Sequence, residues 1–353
     1  MNSEVDFVLP WVDGSDPHWR NELNKYEVTN QVMNTEDRFR DWGNLKYVFR
    51  GIEKFTPWVR KIHFITFGHL PSWMNLKHPK LNVVKHEEII PKEYLPVFNI
   101  FPIETRIHLI KELSDKFVYF NDDFFILKDL SEKNFFRKDL PVDFAISDIM
   151  HQGVLAHIIQ NNVDIVNKYH NRHYGSGNDK WSIMKKNKAK WFNIRYGKDI
   201  LQNLILLKWN TFTGFKTHHH PQPFLKKTFQ EVWSKEGQRL ENILKSRFRE
   251  SSDLSQYLFR YWQIVKGDFY PENYKAECKK RKYIEVRSID DAKRVEEFIK
   301  LDNLKQICIN DGTSIGRFNE EGVAYEEFLK IKATVNNALH EKLSEKSQFE
   351  IIK

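Results

Sequence analysis

The sequence is poor in cysteine. Its 353 residues contain two, Cys278 and Cys308, which are too few for a disulfide framework and cannot make a thiolate zinc site by themselves. We expect both thiols to be reduced, as in cytoplasmic proteins. With 14 glycines and 12 prolines, the chain is neither collagen-like nor of low complexity.

Long apolar runs are also missing. A transmembrane helix needs about 18 uncharged apolar residues, and the richest apolar stretch, 200–215, is interrupted by Gln202, Asn203, Lys208 and Asn210. The N-terminus reads Met-Asn-Ser-Glu-Val-Asp, which is acidic where a secretion signal is basic. We therefore expect a cytoplasmic protein, and the composition leaves open a peripheral attachment to the inner face of the cell membrane.

Several nucleotide-binding and hydrolase motifs are absent from the sequence. It contains neither a Walker phosphate loop nor the glycine-rich dinucleotide fingerprint, so ATP and NAD are not the expected cosubstrates. It has no Gly-x-Ser-x-Gly elbow and no His-Glu-x-x-His motif, which removes two common hydrolase classes.

Basic residues outnumber acidic ones, with 56 Lys and Arg against 48 Asp and Glu and a net charge of +8. Such a surplus is typical of proteins that bind polyanions, and equally of a lysine-rich surface that keeps a protein in solution. The basic runs at 185–188 and 279–282 have the same two interpretations.

Apolar runs predict strands at 6–11, 61–66, 81–85, 117–120 and 306–309, and 143–147 is a further candidate. Between the first of these, apolar residues at helical spacing predict helices at 45–55 and 102–110. This alternation predicts an α/β fold with a mostly parallel central sheet flanked by helices.

The second half is predicted to be mainly helical. Helical spacing extends from about Val154 to Phe215 and from Phe224 to Trp262, and a charged helix runs from about Glu326 to Leu343. The chain has no internal repeat and no clear linker. We therefore treat 1–353 as one domain with three sub-regions: an α/β part at 1–150, a helical insertion at 151–265, and a C-terminal part at 266–353.

Acidic residues follow two of the predicted strands. Asp13 comes after the first strand, and Asn121, Asp122 and Asp123 come after the strand at 117–120. Ligands of parallel sheets bind outside the carboxyl ends of the strands, and paired carboxylates suit Mg²⁺ or Mn²⁺ bound to a diphosphate. The alternative is a turn or helix cap, but two carboxylates between apolar segments are costly without a cation.

A histidine triplet and an arginine are further candidates. Successive side chains diverge in a helix or a strand, so His218, His219 and His220 cannot all face one site. One of them suits a general base or a phosphate partner, because the ordinary histidine pKa is about 6.5; the alternative is a solvated loop. Arg249, four residues before Asp253, suits bidentate phosphate recognition or else marks a surface helix start with an acidic cap.

Taken in order, these motifs resemble the conserved regions of the Stealth proteins, which are sugar-1-phosphate transferases of bacterial capsule synthesis related to the animal lysosomal-enzyme N-acetylglucosamine-1-phosphotransferase. The first region resembles Val-Leu-Pro-Trp-Val-Asp-Gly-Ser-Asp-Pro at 8–17. The second resembles segments between 38 and 123, ending in Tyr-Phe-Asn-Asp-Asp. The third resembles His-His-Pro-Gln-Pro-Phe at 219–224 with Arg249 and Asp253, and the fourth Cys-Ile-Asn-Asp-Gly at 308–312.

The resemblance implies a nucleotide-diphosphosugar transferase-like, Rossmann-type fold and a role for each matched residue. Asp122 and Asp123 hold Mg²⁺ or Mn²⁺, and His219 is the base, although which histidine of the triplet acts stays open. Arg249 clamps the phosphoryl group, and Asp311 is a further metal or orienting group. The implied substrate-binding residues are Asp13, Gly14, Arg38, Asp41, Asn99, Glu104, Asn121, Asp253 and Asn310.

The sequence departs from the family pattern in one loop. Family members commonly read Asn-Ser-Asn-Ala-Ile-Glu where this chain has Asn-Ile-Phe-Pro-Ile-Glu at 99–104. Asn99 and Glu104 match, but bulky apolar residues replace small polar ones between them. If this loop shapes the sugar or acceptor pocket, we expect a different sugar specificity.

The resemblance implies transfer of a hexose 1-phosphate, for example N-acetylhexosamine 1-phosphate, from a UDP-sugar to a hydroxyl of a growing capsule or cell-surface polysaccharide, with release of UMP. The part at 1–150 is then nucleotide-binding, and 266–353 completes the site. One alternative is a metal-dependent glycosyltransferase that releases UDP. Another is a non-enzymatic basic protein that binds nucleic acid or another polyanion. The family implies no nucleic acid partner and leaves open an association with the membrane and with other capsule-synthesis enzymes.

Overall fold

The computed structural model of the protein describes residues 4–26, 33–35, 38–150, 153, 155–174, 179–313 and 322–351. Within these ranges the strands are β1 (Val5–Pro10), β2 (Ile62–Thr66), β3 (Leu81–Lys85), β4 (Lys116–Tyr119), β5 (Phe124–Ile126), β6 (Phe136–Arg137), β7 (Leu140–Asp143), β8 (Gln222–Leu225), β9 (Tyr270–Pro271), β10 (Arg281–Val286) and β11 (Gln306–Asp311). The α-helices are α1 (Pro17–Leu23), α2 (Leu45–Phe55), α3 (His86–Ile89), α4 (Ile100–Arg106), α5 (Ala156–Tyr174), α6 (Asp179–Lys186), α7 (Lys188–Trp191), α8 (Ile200–Ile205), α9 (Lys226–Leu244), α10 (Tyr257–Lys266), α11 (Tyr274–Glu277), α12 (Ile289–Ile299) and α13 (Tyr325–Lys342).

The central sheet has the strand order β3-β2-β1-β4-β8. Neighbours among β1 to β4 are parallel, and β8 is antiparallel to β4. Strands β1, β2, β4 and β8 are buried along their whole length, as expected for a sheet covered on both faces. This arrangement confirms the predicted α/β class with a mostly parallel sheet and flanking helices.

Side chains along β1 alternate between two apolar layers. Phe7 and Leu9 belong to the layer that also contains α2, α12 and α13. Val8 belongs to the opposite layer, with α4, α5, α9 and α10. None of the helices among the described residues is long and apolar enough to cross a bilayer.

The order of the strands reverses beside β1. From β1 the chain moves outward to β2 and β3, and it then places β4 on the other side of β1. Such a reversal leaves a crevice at the carboxyl ends of the two strands. The segments that follow Pro10 and Tyr119 therefore enter the same crevice.

A second sheet brings the C-terminal part to this crevice. Its order is β10-β11-β5, with β11 parallel to β10 and antiparallel to β5. Cys308 of β11 lies opposite Phe124 of β5, and the Ile309 amide donates to the Asp123 carbonyl at 3.0 Å. Since Asp123 directly precedes β5, the end of β11 lies beside the acidic loop.

Two predicted elements differ in the structure. No strand spans 143–147: β7 (Leu140–Asp143) ends where the predicted strand begins, and it pairs with β6 and β9 in a small separate sheet. Beyond it, the Asp143 carboxylate accepts the Phe144 amide, and Ser147 forms only an isolated bridge with Phe215. The predicted helical stretch from Phe224 begins instead as β8, since Pro223 suits an edge strand, and α9 starts at Lys226.

The segment 151–265, predicted as a helical insertion, contains α5 to α8 between β7 and β8, and then β8, α9 and nearly all of α10. Its first described helix begins at Ala156, and the predicted start at Val154 lies outside the described residues. The division into sub-regions at 150 and 265 stays a prediction.

Candidate active site

A cleft occupies the crevice at the carboxyl end of the central sheet. It consists of two adjacent cavities of about 180 and 240 Å³. The residues that line the aromatic chamber but not the other one include Trp11, Trp19, Phe39, His86 and Phe98. The residues that line the polar chamber but not the aromatic one include Asp41, Asp123, His219, Asn310 and Asp311. The residues that line both are Arg38, Ile100, Glu104, Asn121, Asp122 and Arg249.

The acidic pair lies in the short loop between β4 and β5, where the first carboxylate lines both chambers and the second lines the polar one. Burial, followed by the negative charges of Asp123 and Asp41, raises the pKa of Asp122 to about 8. Burial also raises the pKa of Asp123, against the opposing effect of His219. Two carboxylates in this position favour a bound cation, because a positive charge offsets both desolvation and mutual repulsion.

Asp123, His219 and Cys308 form a compact group of potential metal ligands, whose ligand atoms all lie within 4.8 Å of one another. The Cys308 thiol donates to Asp123 Oδ2 at 3.3 Å. Asp123 Oδ1 is buried and has no hydrogen-bonding partner among the described residues. No role for Cys308 was predicted from the sequence. Its signal was the position two residues before Asn310, which places it on the buried part of β11.

His219 reaches the cleft through the pairing of β8 with β4. Tyr119 lies opposite Gln222 in this antiparallel ladder, so the residues just before β8 lie beside the loop that follows β4. His219 Nε2 is 3.4 Å from Asn121 Nδ2, and its ring packs edge-on against Phe124 with centroids 5.0 Å apart. His219 lines the polar chamber, and neither His218 nor His220 lines either of the two chambers described here.

The other two histidines lie away from the cleft. The His218 and His220 rings are 5.6 Å apart, and His218 packs against Phe144. Burial, and then the charge of Arg281, lowers the pKa of His218 well below its ordinary value and that of His220 to about 3. The expectation that the three cannot face one site is confirmed by this geometry, and the role of His219 stays a prediction.

Arg249 lines both chambers, as Asp122 does. Its backbone amide donates to Asn34 Oδ1 at 2.9 Å, and Asn34 Nδ2 donates back to its carbonyl at 3.1 Å. The guanidinium lies 5.5 Å from the centre of the Phe101 ring. The arginine is therefore held by its backbone and by an aromatic contact.

Glu104 is buried and also lines both chambers. It accepts hydrogen bonds from the Tyr119 hydroxyl and from the Gln256 amide, both at 2.9 Å, and burial raises its pKa to about 7. Its helix α4 is capped by Asn99 Oδ1, which accepts the Phe101 amide. Residues 100, 101 and 103, all apolar, line the cleft, so the loop that departs from the family pattern does shape it.

Three predicted site residues lie behind the cleft wall. Asp253 Oδ2 accepts from Asn99 Nδ2 at 2.8 Å, and burial raises its pKa to about 6. Asp13 Oδ1 accepts from the amide and the hydroxyl of Ser15. The Gly14 amide donates to the Phe39 carbonyl at 2.7 Å, and a Cβ on Gly14 would lie 2.5 Å from that oxygen. These residues position the loops that carry Asn99, Trp11 and Phe39.

Asp311 is saturated by hydrogen bonds. Its Oδ1 accepts from the Thr313 amide and hydroxyl at 2.9 and 2.7 Å. Its Oδ2 accepts from Trp42 Nε1 at 2.9 Å and from Arg40 Nη1 at 3.4 Å. Of the two roles predicted for it, these contacts favour the orienting one over metal ligation.

The sequence matches two family models: Stealth protein conserved region 1 over residues 4–30 and Stealth protein conserved region 2 over residues 38–143. It is 39% identical over 352 residues to a capsular polysaccharide phosphotransferase WcwK of Streptococcus pneumoniae, with 98% of each chain covered. The chain belongs to the Stealth family.

Two further relatives of this Stealth protein have related names. The receptor polysaccharide phosphotransferase WefC of Streptococcus oralis is 36% identical, with 99% of this chain and 100% of the relative covered. The exopolysaccharide phosphotransferase cps2G of Lactiplantibacillus plantarum is 34% identical, with 98% and 96% covered. Among solved structures, apo mouse xyloside xylosyltransferase 1 aligns over 86% of this chain and 97% of its own, at 10% identity and a TM-score of 0.35.

The two matched Stealth regions contribute unequally to the cleft. Region 1 supplies β1 and Trp11, and region 2 supplies most of the remaining lining, including the acidic pair. His219, Arg249 and β11 come from later in the chain. The aromatic lining of this Stealth protein was not predicted from the sequence, because Trp19 and Phe98 are far apart in the chain and only the fold brings them together.

The acidic loop of the Stealth cleft fits a divalent cation. Asp122 and Asp123 supply the oxygen ligands that Mg²⁺ and Mn²⁺ prefer, and the unpartnered Asp123 Oδ1 gives a ligand atom that no described protein group uses. The imidazole and thiol beside it are softer donors. The arrangement therefore places cation ligands, an imidazole and an arginine around one small space.

Proposed function

We propose that this Stealth protein is a capsular or cell-surface polysaccharide phosphotransferase that transfers hexose 1-phosphate from a UDP-sugar to a glycan hydroxyl and releases UMP. The observation that carries the proposal is the meeting of the aromatic and polar chambers at Asp122 and Arg249. An aromatic wall suits a nucleobase, and the acids and arginine at the junction suit a diphosphate with its cation. The names of its relatives support the same reaction class.

In this proposal the donor spans both chambers. The uracil lies among Trp11, Trp19 and Phe98, and the sugar phosphate lies in the polar chamber. Arg38 and Arg249 line both chambers and contact the diphosphate between them. Asp122 and Asp123 hold Mg²⁺ or Mn²⁺, which supplies charge neutralisation for the diphosphate.

The reaction is a displacement at phosphorus. The acceptor hydroxyl oxygen forms a bond to the sugar-side phosphorus, and the bond from that phosphorus to the bridging oxygen breaks. UMP leaves with that oxygen and the bonding electron pair, and the acceptor proton passes to the imidazole of His219. The C1–O bond of the sugar stays intact, so the anomeric configuration is retained. Arg249 stabilises the charge on the transferred phosphoryl group.

The sugar is proposed to contact the loop that departs from the family pattern. Ile100 lines both chambers and Phe101 lines the polar one, so the transferred sugar meets an apolar surface on this side. An N-acetylhexosamine presents a methyl group that suits such a surface. The proposal includes the cytoplasmic location that the sequence predicts.

A second candidate is a metal-dependent glycosyltransferase. It uses the same diphosphate ligands but breaks the sugar C1–O bond and frees UDP, and the buried acidic pair suits either reaction. The test is to incubate the purified protein with UDP-N-acetylglucosamine, Mg²⁺ and a capsule oligomer and to separate the nucleotide products. UMP together with a phosphodiester signal in the phosphorus NMR spectrum of the glycan supports the phosphotransferase. UDP release, absent in Asp123→Asn, would establish the glycosyltransferase instead.

A further inference from the structure

The outer side of α8 is apolar. Leu201, Leu204 and Ile205, at helical positions i, i+3 and i+4, are 60%, 48% and 62% exposed. A surface helix ordinarily turns such a stripe toward the core. These three side chains contribute little to the core of the folded chain, so core packing does not account for them.

The inner side of α8 is polar. Asn203 is fully buried and donates to the carbonyls of Ala145 and Trp191 at 2.8 and 2.7 Å. Its Oδ1 accepts the Ser147 amide at 2.6 Å. Rolling the helix to bury its leucines would break these three hydrogen bonds, and unpaired buried polar groups are costly. The hydrogen bonds of Asn203 therefore keep the polar side of α8 inside and its apolar side exposed.

Neighbouring residues extend this apolar surface. Trp209 follows α8 and is 48% exposed, and Ile149 is 55% exposed. Ile149 lies beside α8 because Gln202 donates to the Asp148 carboxylate at 2.7 Å. We define the apolar patch as Ile149, Leu201, Leu204, Ile205 and Trp209. Contiguous exposed apolar residues of this kind mark interaction sites.

The chain segment that carries most of the apolar patch is rich in basic residues. Between residues 180 and 211 the one acidic residue is Asp199, and it pairs with Lys216 at 3.0 Å. The basic residues in the same interval are Lys180, Lys185, Lys186, Lys188, Lys190, Arg195, Lys198 and Lys208. Lys185, Lys186, Lys188, Lys198 and Lys208 are exposed. A second copy of the chain would bring like charges together here, whereas an anionic surface would neutralise them.

We propose that the protein docks onto an anionic lipid bilayer through the apolar patch and the exposed lysines of the same chain segment. Leu201, Leu204, Ile205 and Trp209 enter the boundary between headgroups and acyl chains, and the lysines contact the headgroup phosphates. Trp209 is of the residue type that favours this boundary. The inference rests on α8 and its surroundings and does not depend on the proposed reaction.

The test is co-sedimentation of the purified full-length protein with vesicles of phosphatidylglycerol and phosphatidylcholine, and with vesicles of phosphatidylcholine alone. We expect binding to the anionic vesicles that weakens as salt is raised. The double variant Leu204→Glu/Ile205→Glu should bind at least about tenfold more weakly, because it removes apolar burial and adds negative charge. Both residues are exposed, so the variant should keep the wild-type circular dichroism spectrum.

Leu329→Glu is the matched control. Leu329 is 44% exposed on α13, outside the apolar patch, and this variant should bind vesicles as the wild type does. The proposal would be overturned if the wild type did not bind anionic vesicles or bound neutral vesicles equally well. It would also be overturned if Leu329→Glu lost as much vesicle binding as Leu204→Glu/Ile205→Glu. A wild-type dimer in light scattering that Leu204→Glu/Ile205→Glu converts to a monomer without any lipid binding would overturn it as well. Nucleotide release in solution is assayed separately, so failure here leaves the proposed reaction standing.

Discussion

The Cys308 thiol donates a hydrogen bond to Asp123 Oδ2 across 3.3 Å, although the two residues lie 185 positions apart in the sequence. Burial, followed by the charge of Asp123, raises the pKa of Cys308 well above its ordinary value, so the sulfur keeps its proton. With Oδ2 occupied, Oδ1 is the carboxylate oxygen that stays without a protein partner among the described residues. Cys308 thus orients the carboxylate that is proposed to bind the metal.

Replacing the thiol tests that role. We predict that Cys308→Val weakens Mn²⁺ binding by about tenfold, in the range expected for the loss of a ligand-orienting hydrogen bond. Cys308→Ser keeps a donor and should stay within about threefold of the wild type. The measurement is a titration of free Mn²⁺ by electron paramagnetic resonance. Equal affinities in all three proteins would show that the sulfur does not orient Asp123.

The histidine triplet allows three parallel substitutions. We predict that His219→Ala lowers the rate of nucleotide release by at least about a hundredfold, because the acceptor proton loses its base. His218→Ala and His220→Ala should instead lower the thermal unfolding midpoint, since His220 is buried and His218 is partly buried and packs against Phe144. Initial rates and melting curves on the same preparations separate the effects. If turnover were lost only in His218→Ala or only in His220→Ala, that histidine and not His219 would be the base.

Asp122 is predicted to destabilise the metal-free protein as pH rises. Its pKa is raised from 3.8 to about 8, chiefly by burial. Between these values the folded state keeps a proton that the unfolded state has lost, so the free energy of unfolding falls from about pH 4 to pH 8. We predict that Asp122→Asn raises the melting midpoint in EDTA at pH 8 by roughly 3 °C or more, and by less at pH 5.

Metal addition supplies the control for Asp122. Excess Mg²⁺ should raise the melting midpoint of the wild type at pH 8 and leave that of Asp122→Asn nearly unchanged, because a ligand that binds the folded state stabilises it. The same Mg²⁺ effect in both proteins would argue against Asp122 as a ligand.

Ile100 is predicted to influence the choice of sugar. Ile100→Ser restores the small polar residue common in the family and removes apolar surface from both chambers. We expect the ratio of kcat/KM between two UDP-sugars that differ in the N-acetyl group to change by about tenfold. Competition between the two donors in one reaction measures that ratio. An unchanged ratio with a lowered overall rate would place Ile100 outside the sugar pocket.

A buried ion pair supports the segment just before β8 that contains the three histidines. The Arg260 guanidinium binds Asp143 at 2.8 Å and the Lys216 carbonyl at 3.0 Å. We predict that Arg260→Leu lowers the free energy of unfolding by roughly 3–5 kcal/mol, because it leaves a buried carboxylate unpaired. Lys293→Ala removes an exposed pair with Asp290 and should cost about 0.5 kcal/mol or less. Urea denaturation measures both.

The local parts of the fold could be predicted from the sequence. Helical spacing of apolar residues predicted α2, and a continuous apolar run at 117–120 predicted β4. Both elements are confirmed. The acidic loop was identifiable because Asp122 and Asp123 directly follow such a strand. These features depend on neighbours in the chain.

Contacts between distant segments could not be predicted in the same way. Pro223 is compatible with an edge strand, but it does not by itself place Gln222–Leu225 in the sheet, and the pairing with β4 decides the structure of this segment. Cys308 gains its place beside Asp123 through the register of β11 with β5. The inward-facing Asn203 and the outward leucines of α8 likewise follow from hydrogen bonds to distant backbone groups.

The pairing of β8 with β4 also determines when His219, the proposed base, reaches the cleft during folding. His219 follows Asn121 by 98 residues, and helices α5 to α8 lie between β4 and β8 in the sequence. Contacts of such long range form late and cost more loop entropy. A nascent chain that has completed β1 to β4 already holds its two carboxylates but has no imidazole beside them. The acidic loop can thus form first, and the imidazole proposed as the base joins it only when the last strand of the sheet pairs.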